Sequence, residues 1–155
     1  MVRRLMMMAA IAMVTACGQE GASTAGQAQA MPQSPAVRSV DFSQVARGGR
    51  LYQQNCAECH GVNGEGAPNW RQRDADGMFP PPPLNGTGHA WHHPKPMLQY
   101  VIANGSPGGQ GNMPAWKEKL SAEQINDIMA WFMSKWPDEV YQAWYERNQR
   151  AMQGG

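Results

Sequence analysis

The sequence predicts an all-α domain of about three core helices joined by long irregular loops. Two observations predict the class: apolar residues recur at three- and four-residue spacing between clear start and stop signals, and no segment alternates as a strand would. A third concerns the loops. Residues 61–93 are rich in Gly, Pro and Asn and carry neither period, which is too long for a compact domain unless something besides backbone ladders organises it. A large buried cofactor would do so.

The first helix is expected to start at Asp41 or Ser43, either of which can cap it, with Val45, Leu51 and Tyr52 on its apolar side. It runs into the stretch NCAECHG at 55–61. A short helix follows the long loop in PKPMLQYVIANG, where Met97, Leu98, Val101 and Ile102 form a stripe that stops at Asn104 and Gly105. Residues 106–116 are again loop. Ser121 and Gln124 then make a capping box, ahead of Ile125, Ile128, Met129, Phe132 and Met133 on one helical face, and Pro137 ends that helix. Residues 138–155 form a C-terminal helical extension with Val140, Tyr141, Trp144 and Tyr145 on one side, expected to pack back on the domain.

Before the domain lie two segments of different character. Arg3 and Arg4 precede an apolar run over residues 5–15, too short to span a bilayer, which reads as an export signal. It ends in VTAC and resembles the bacterial lipoprotein signal, so residues 1–16 would be removed and Cys17 lipidated. The resemblance implies a membrane anchor on the periplasmic side of the cell envelope, with the outer membrane favoured because Gly18, not Asp, follows the cysteine. Residues 17–40 are Gly, Ala, Ser, Thr, Gln and Pro with hardly a bulky apolar side chain, a flexible tether. The domain then occupies 41–137.

Charge excludes one class of partner. Without residues 1–16 the chain carries 11 basic and 12 acidic side chains, which is no footprint for nucleic acid.

Cys56 and Cys59 stand immediately before His60, and this spacing can hold zinc, shuttle a disulfide or carry a haem. Zinc wants four ligands, yet the remaining cysteine, Cys17, sits in the signal region. A redox pair belongs at a strand-to-helix junction, and no strand is visible. Cys-x-x-Cys-His behind an export signal is the attachment signature of c-type haem, in which two thioethers hold the macrocycle and the His lies under the iron.

With that motif in view, residues 41–137 resemble a small bacterial class I cytochrome c. Gly48 and Tyr52, eight and four residues before Cys56, match the positions at which that family's first helix crosses its last, where the facing aromatic would be Trp131. Pro82, Leu84 and Gly86 match its P-x-L-x-G segment, which implies that the Pro82 carbonyl accepts a hydrogen bond from His60 Nδ1. Met113, followed by Pro114 in a Gly-rich loop ahead of the final helix, matches its distal ligand. The resemblance thus implies one covalent haem c on Cys56 and Cys59, iron held by His60 and Met113, and a haem face covered by residues such as Tyr52, Leu84, Leu98 and Trp116. The haem edge beside the thioethers, near Ala57 and Glu58, would meet the partner.

Such ligation leaves no open coordination position, so the expected function is electron transfer between a donor and an acceptor protein at the envelope rather than catalysis. The chain would be a monomer or a subunit of a respiratory complex, and a haem domain of a larger oxidoreductase is compatible with the same residues. Two alternatives stay open. One is a haem sensor or enzyme with a labile sixth ligand. The other is a copper-handling segment made of His89, His92, His93 and Met97, whose ligand types suit that metal.

Overall fold

The computed structural model describes residues 38–154. The signal, Cys17 and most of the tether lie outside the described residues. Five α-helices occur in the order α1 (Phe42–Asn55), α2 (Ala57–His60), α3 (Lys95–Asn104), α4 (Ala122–Ser134) and α5 (Asp138–Gln153), with short 3-10 turns at Ala90–His92 and Pro107–Gly109. Among the described residues there is no strand, only an isolated bridge between Phe79 and Gly111. The fold is all-α.

Helix ends follow local chemistry. The Asp41 carboxylate caps α1 by accepting hydrogen bonds from the backbone N–H groups of Ser43 and Gln44, and the Ser43 hydroxyl first, then the Gln44 N–H, hold its pKa below the usual carboxylate range. Ser121 and Gln124 form both halves of the expected capping box on α4. Gly105 closes α3 at a φ of +84°.

The core is the crossing of α1 and α4. Gly48 rests against the backbone of Asp127, and Tyr52, fully buried, stacks on Trp131 with ring centroids 4.0 Å apart. Arg47 Nε donates to Asp127 Oδ2 at 2.9 Å and its Nη2 to Oδ1 at 3.3 Å, pairing the one deeply buried carboxylate of α4 at the same crossing. Ile125, Ile128, Met129, Phe132 and Met133 line the buried side of α4, as their spacing predicts.

Helix α5 packs back on the domain, as its apolar side predicts: Trp144 enters the core, packs edge-on against Trp136 and donates its indole N–H to the His93 carbonyl at 3.1 Å. The ordered contacts start before Asp41. Arg38 donates to the Met133 and Trp136 carbonyls and lies over the Tyr141 ring, which ties the chain before α1 to the turn that follows α4. No helix among the described residues is long and apolar enough to cross a membrane.

Candidate functional site

Helix α2 is one turn long, and its sequence puts chemistry on one side. Cys56, Cys59 and His60 stand at i, i+3 and i+4, the spacing at which side chains share a helical face. No disulfide joins Cys56 to Cys59. Cys56 is half-buried against the core while Cys59 is exposed. Burial pushes the Cys56 thiol up to about 11, helped by Cys59 beside it. That is the opposite of the low-pKa, thiolate-bearing cysteine a disulfide shuttle needs.

His60 is buried, 8 % exposed, and its Nδ1 lies 2.9 Å from the carbonyl oxygen of Pro82. Burial lowers its pKa, and the Pro82 hydrogen bond works against that shift. A neutral ring that donates from Nδ1 to a carbonyl keeps its Nε2 lone pair unprotonated and directed by a fixed ring. The donor set therefore fits an iron porphyrin attached through two adjacent thiols.

The loop that precedes Pro82 is organised by its own backbone. Gly66 N–H donates to His60 O, Ala67 N–H to Pro81 O, and Leu84 and Asn85 N–H groups both to Gly64 O, so residues 60–67 lie alongside 81–85. These bonds choose the register within FPPPP. Gly88 adds a second constraint, since a Cβ there would lie 2.2 Å from the Pro83 carbonyl oxygen. Trp136 Nε1 donates to the Leu84 carbonyl at 2.8 Å and ties the loop to the end of α4.

Met113 is held from the other side. Its N–H donates to Ser106 Oγ at 3.2 Å, and its carbonyl accepts from Ser106 N–H at 3.1 Å, fixing the segment beside the Gly105 stop of α3. Phe79 N–H donates to Gln110 O at 2.8 Å, which joins this loop to the one carrying Pro82. Leu98 is buried on α3, whereas Leu84 and Trp116 are partly buried against the core. Tyr52 donates its hydroxyl to the Gly61 carbonyl at 2.8 Å and stacks on Trp131, so its ring serves the helix crossing while its hydroxyl secures the turn after His60. Reading the sequence missed Ser106, Gly88 and Trp136. Ser106 had a local signal, a hydroxyl directly after the glycine stop, but the other two act through contacts distant in sequence.

His89, His92 and His93 are spread along an aromatic surface. Trp91 stacks on His92, and His89 lies between Trp70 and His93. Among the described residues no three His, Cys, Asp or Glu side chains are grouped to hold a metal ion, so the zinc and copper alternatives find no such ligand set there.

Residues 43–132 match the family described as cytochrome c oxidase, cbb3-type, subunit III. The chain belongs to that family. Its matched span starts in α1, includes the Cys56–His60 turn, Pro82 and Met113, and ends in α4, so the subunit III family covers the whole α1 and α4 crossing described above. Two relatives, each named Cbb3-type cytochrome c oxidase subunit CcoP, come from Azospirillum. The protein of Azospirillum sp. (strain B510) is 30% identical over 118 residues, 74% of this chain and 38% of its own length. That of Azospirillum brasilense is 34% identical over 92 residues, 59% of this chain and 28% of its own length. The chain thus spans 38% of one of these relatives and 28% of the other. No solved structure matches it.

Proposed function

We propose that this subunit III family member is a monohaem c-type electron carrier that passes electrons between protein partners of a respiratory oxidase at the cell envelope. One observation carries the reading: His60, next to Cys56 and Cys59, donates from Nδ1 to the Pro82 carbonyl, which leaves Nε2 for iron. Cys56 and Cys59 would hold the haem through thioethers, His60 and Met113 would supply the axial ligands, and Cys17 would carry the lipid anchor. The bound haem supplies one-electron chemistry through its ferrous and ferric states.

The chain's own residues set the terms of that chemistry. Pro82 orients the His60 ring and raises its basicity, while Ser106 holds the Met113 backbone in place. Met113 sulfur, as a soft ligand, would favour the ferrous state of a bound haem, and burial of the site would disfavour the extra charge of the ferric one. The relatives' names support an oxidase context for the donor and acceptor.

The test is optical. Protein isolated from membranes should give the haemochrome spectrum of one haem c per chain, with a far-red sulfur-to-iron band in the oxidised form that Met113→Ala abolishes. A parent protein with no such band would overturn Met113 as ligand, and a chain without haem would overturn the whole reading. Cys17→Ser should release the protein from membranes if the anchor is lipid.

A further inference from the structure

We infer that the face built from Trp70, Arg71, His89, Trp91, His93 and Arg147 is a docking surface for a carboxylate-rich patch on a partner protein. This deepens the electron-transfer reading, on which it rests for the reason a partner should dock at all.

The face is a layered stack. The Arg71 guanidinium lies 4.3 Å above the Trp70 ring, Trp70 meets His89 at 5.2 Å, and His89 meets His93 edge-on at 5.6 Å. Further along, Trp91 stacks on His92 at 3.7 Å and Arg147 lies 5.7 Å over the Trp91 ring. A guanidinium resting on an aromatic plane keeps its edge N–H groups free, in the fork geometry that matches a carboxylate. Arg71, His89 and His92 are exposed.

Charge here is left uncompensated. The formal charges of Lys and Arg against Asp and Glu cancel over residues 38–154. Yet burial first, and then neighbouring groups that include Arg71 for His89 and Arg147 for His93, hold both imidazoles below the ordinary histidine value, so the standing charges of this face are the two guanidinium groups. Ion pairs among the described residues are Arg38 with Asp138 and Arg47 with Asp127, so neither Arg71 nor Arg147 has a carboxylate of its own. An overall neutral domain that gathers cations on one face presents a complement to an acidic surface.

The face is also pre-ordered. Trp91 Nε1 donates to the Gly88 carbonyl at 3.0 Å, Arg147 Nη1 to the Trp91 carbonyl at 3.4 Å and Trp144 Nε1 to the His93 carbonyl at 3.1 Å. Docking on it would cost little ordering entropy. Its tryptophans are partly buried beneath cations rather than projecting, which suits a protein surface and not insertion between lipid tails. Through Gly88, seated on the Pro83 carbonyl, it adjoins the loop that holds His60.

The test titrates the full-length, haem-loaded protein with poly-L-glutamate by calorimetry at low and moderate ionic strength. The double variant Arg71→Gln, Arg147→Gln is compared with Arg50→Gln, Lys117→Gln, which removes the same charge elsewhere. We expect salt-sensitive binding that the first pair weakens at least about fivefold and the second hardly changes. Equal loss in both, or loss in neither, overturns the proposal. In parallel, binding to phosphatidylglycerol and phosphatidylcholine vesicles is compared for the parent and both doubles. A phosphatidylglycerol preference that depends on Arg71 and Arg147 while poly-L-glutamate binding does not would assign the face to a membrane and overturn the protein partner. Haem content is read separately, so a haem-free chain defeats the electron-transfer reading without being mistaken for a failed surface.

Discussion

Gly48 and Asp127 meet backbone to backbone: a Cβ built on Gly48 would lie 1.8 Å from the Asp127 carbonyl oxygen and 2.4 Å from its carbonyl carbon. Neither neighbour is a flexible side chain that can swing away, so the two helices approach as closely as they do only because residue 48 has no side chain. Arg47 and Asp127 pair at the same point, and Tyr52 and Trp131 stack one turn further along. The crossing positions the start of α2, and with it Cys56, Cys59 and His60.

Gly48→Ala should therefore destabilise the haem-loaded protein by about 2 kcal/mol, the cost of overpacking outweighing the better helix propensity of Ala. Guanidinium unfolding followed at the haem absorption band checks it. A midpoint equal to the parent's would mean that the helices part without cost.

Gly88 sits on the Pro83 carbonyl, one residue beyond the carbonyl that orients His60. Gly88→Ala should push this segment away and lengthen the His60 hydrogen bond, which, with His60 as the proposed iron ligand, would make the imidazole a weaker donor. The ferric state loses more than the ferrous, so the reduction potential should rise. Redox titration of the variant reads the sign directly, and an unchanged potential would show that the loop absorbs the methyl group elsewhere.

Ser106 holds the Met113 backbone through its hydroxyl as well as its own N–H. Ser106→Ala keeps the N–H contact and removes the other, so, on the proposed Met113 ligation, the distal segment should loosen with the thioether still able to reach the iron. We expect imidazole to bind the oxidised variant several-fold faster than the parent, with the far-red band retained. Stopped-flow mixing measures the rate, and identical rates would remove Ser106 from any role in holding the ligand.

His89 and His93 both titrate below the ordinary histidine value, chiefly through burial and then through neighbouring cations. A folded-state pKa lowered from about 6.5 means that the unfolded chain takes up protons first as pH falls. Their contribution to stability is thus intact above about pH 6.5 and is lost as pH drops toward the folded-state values. Proton NMR titration should place both below 6.5, with Arg71→Gln raising His89 and Arg147→Gln raising His93. A fall in either variant would show that the cations do not act on these rings.

Much of this molecule can be read locally. Asp41, the Ser121 and Gln124 box, Gly105 and Pro137 announce helix ends because capping is decided within four residues, and the apolar stripe of α4 announces its buried face. The Cys56, Cys59 and His60 spacing is local in the same sense. The register of FPPPP is pointed to by the P-x-L-x-G resemblance alone, since four consecutive prolines offer equivalent carbonyls, and it is fixed physically by the bonds from Leu84 N–H to Gly64 O and from Ala67 N–H to Pro81 O. Helix α5 divides in the same way. Its apolar side predicts packing back on the domain, and the fold supplies the partner, Trp136 edge-on against Trp144.

By itself, then, the sequence determined the helical class, the helix limits and the trio of thiols and imidazole, all products of interactions within one or two turns. Tertiary structure decided how the Pro82 carbonyl is held against His60, what holds Met113, and that Arg71 and Arg147 share one face with His89 and His93. Those depend on segments up to 76 positions apart in the numbering coming together, from Arg71 to Arg147, and no local pattern encodes such a meeting.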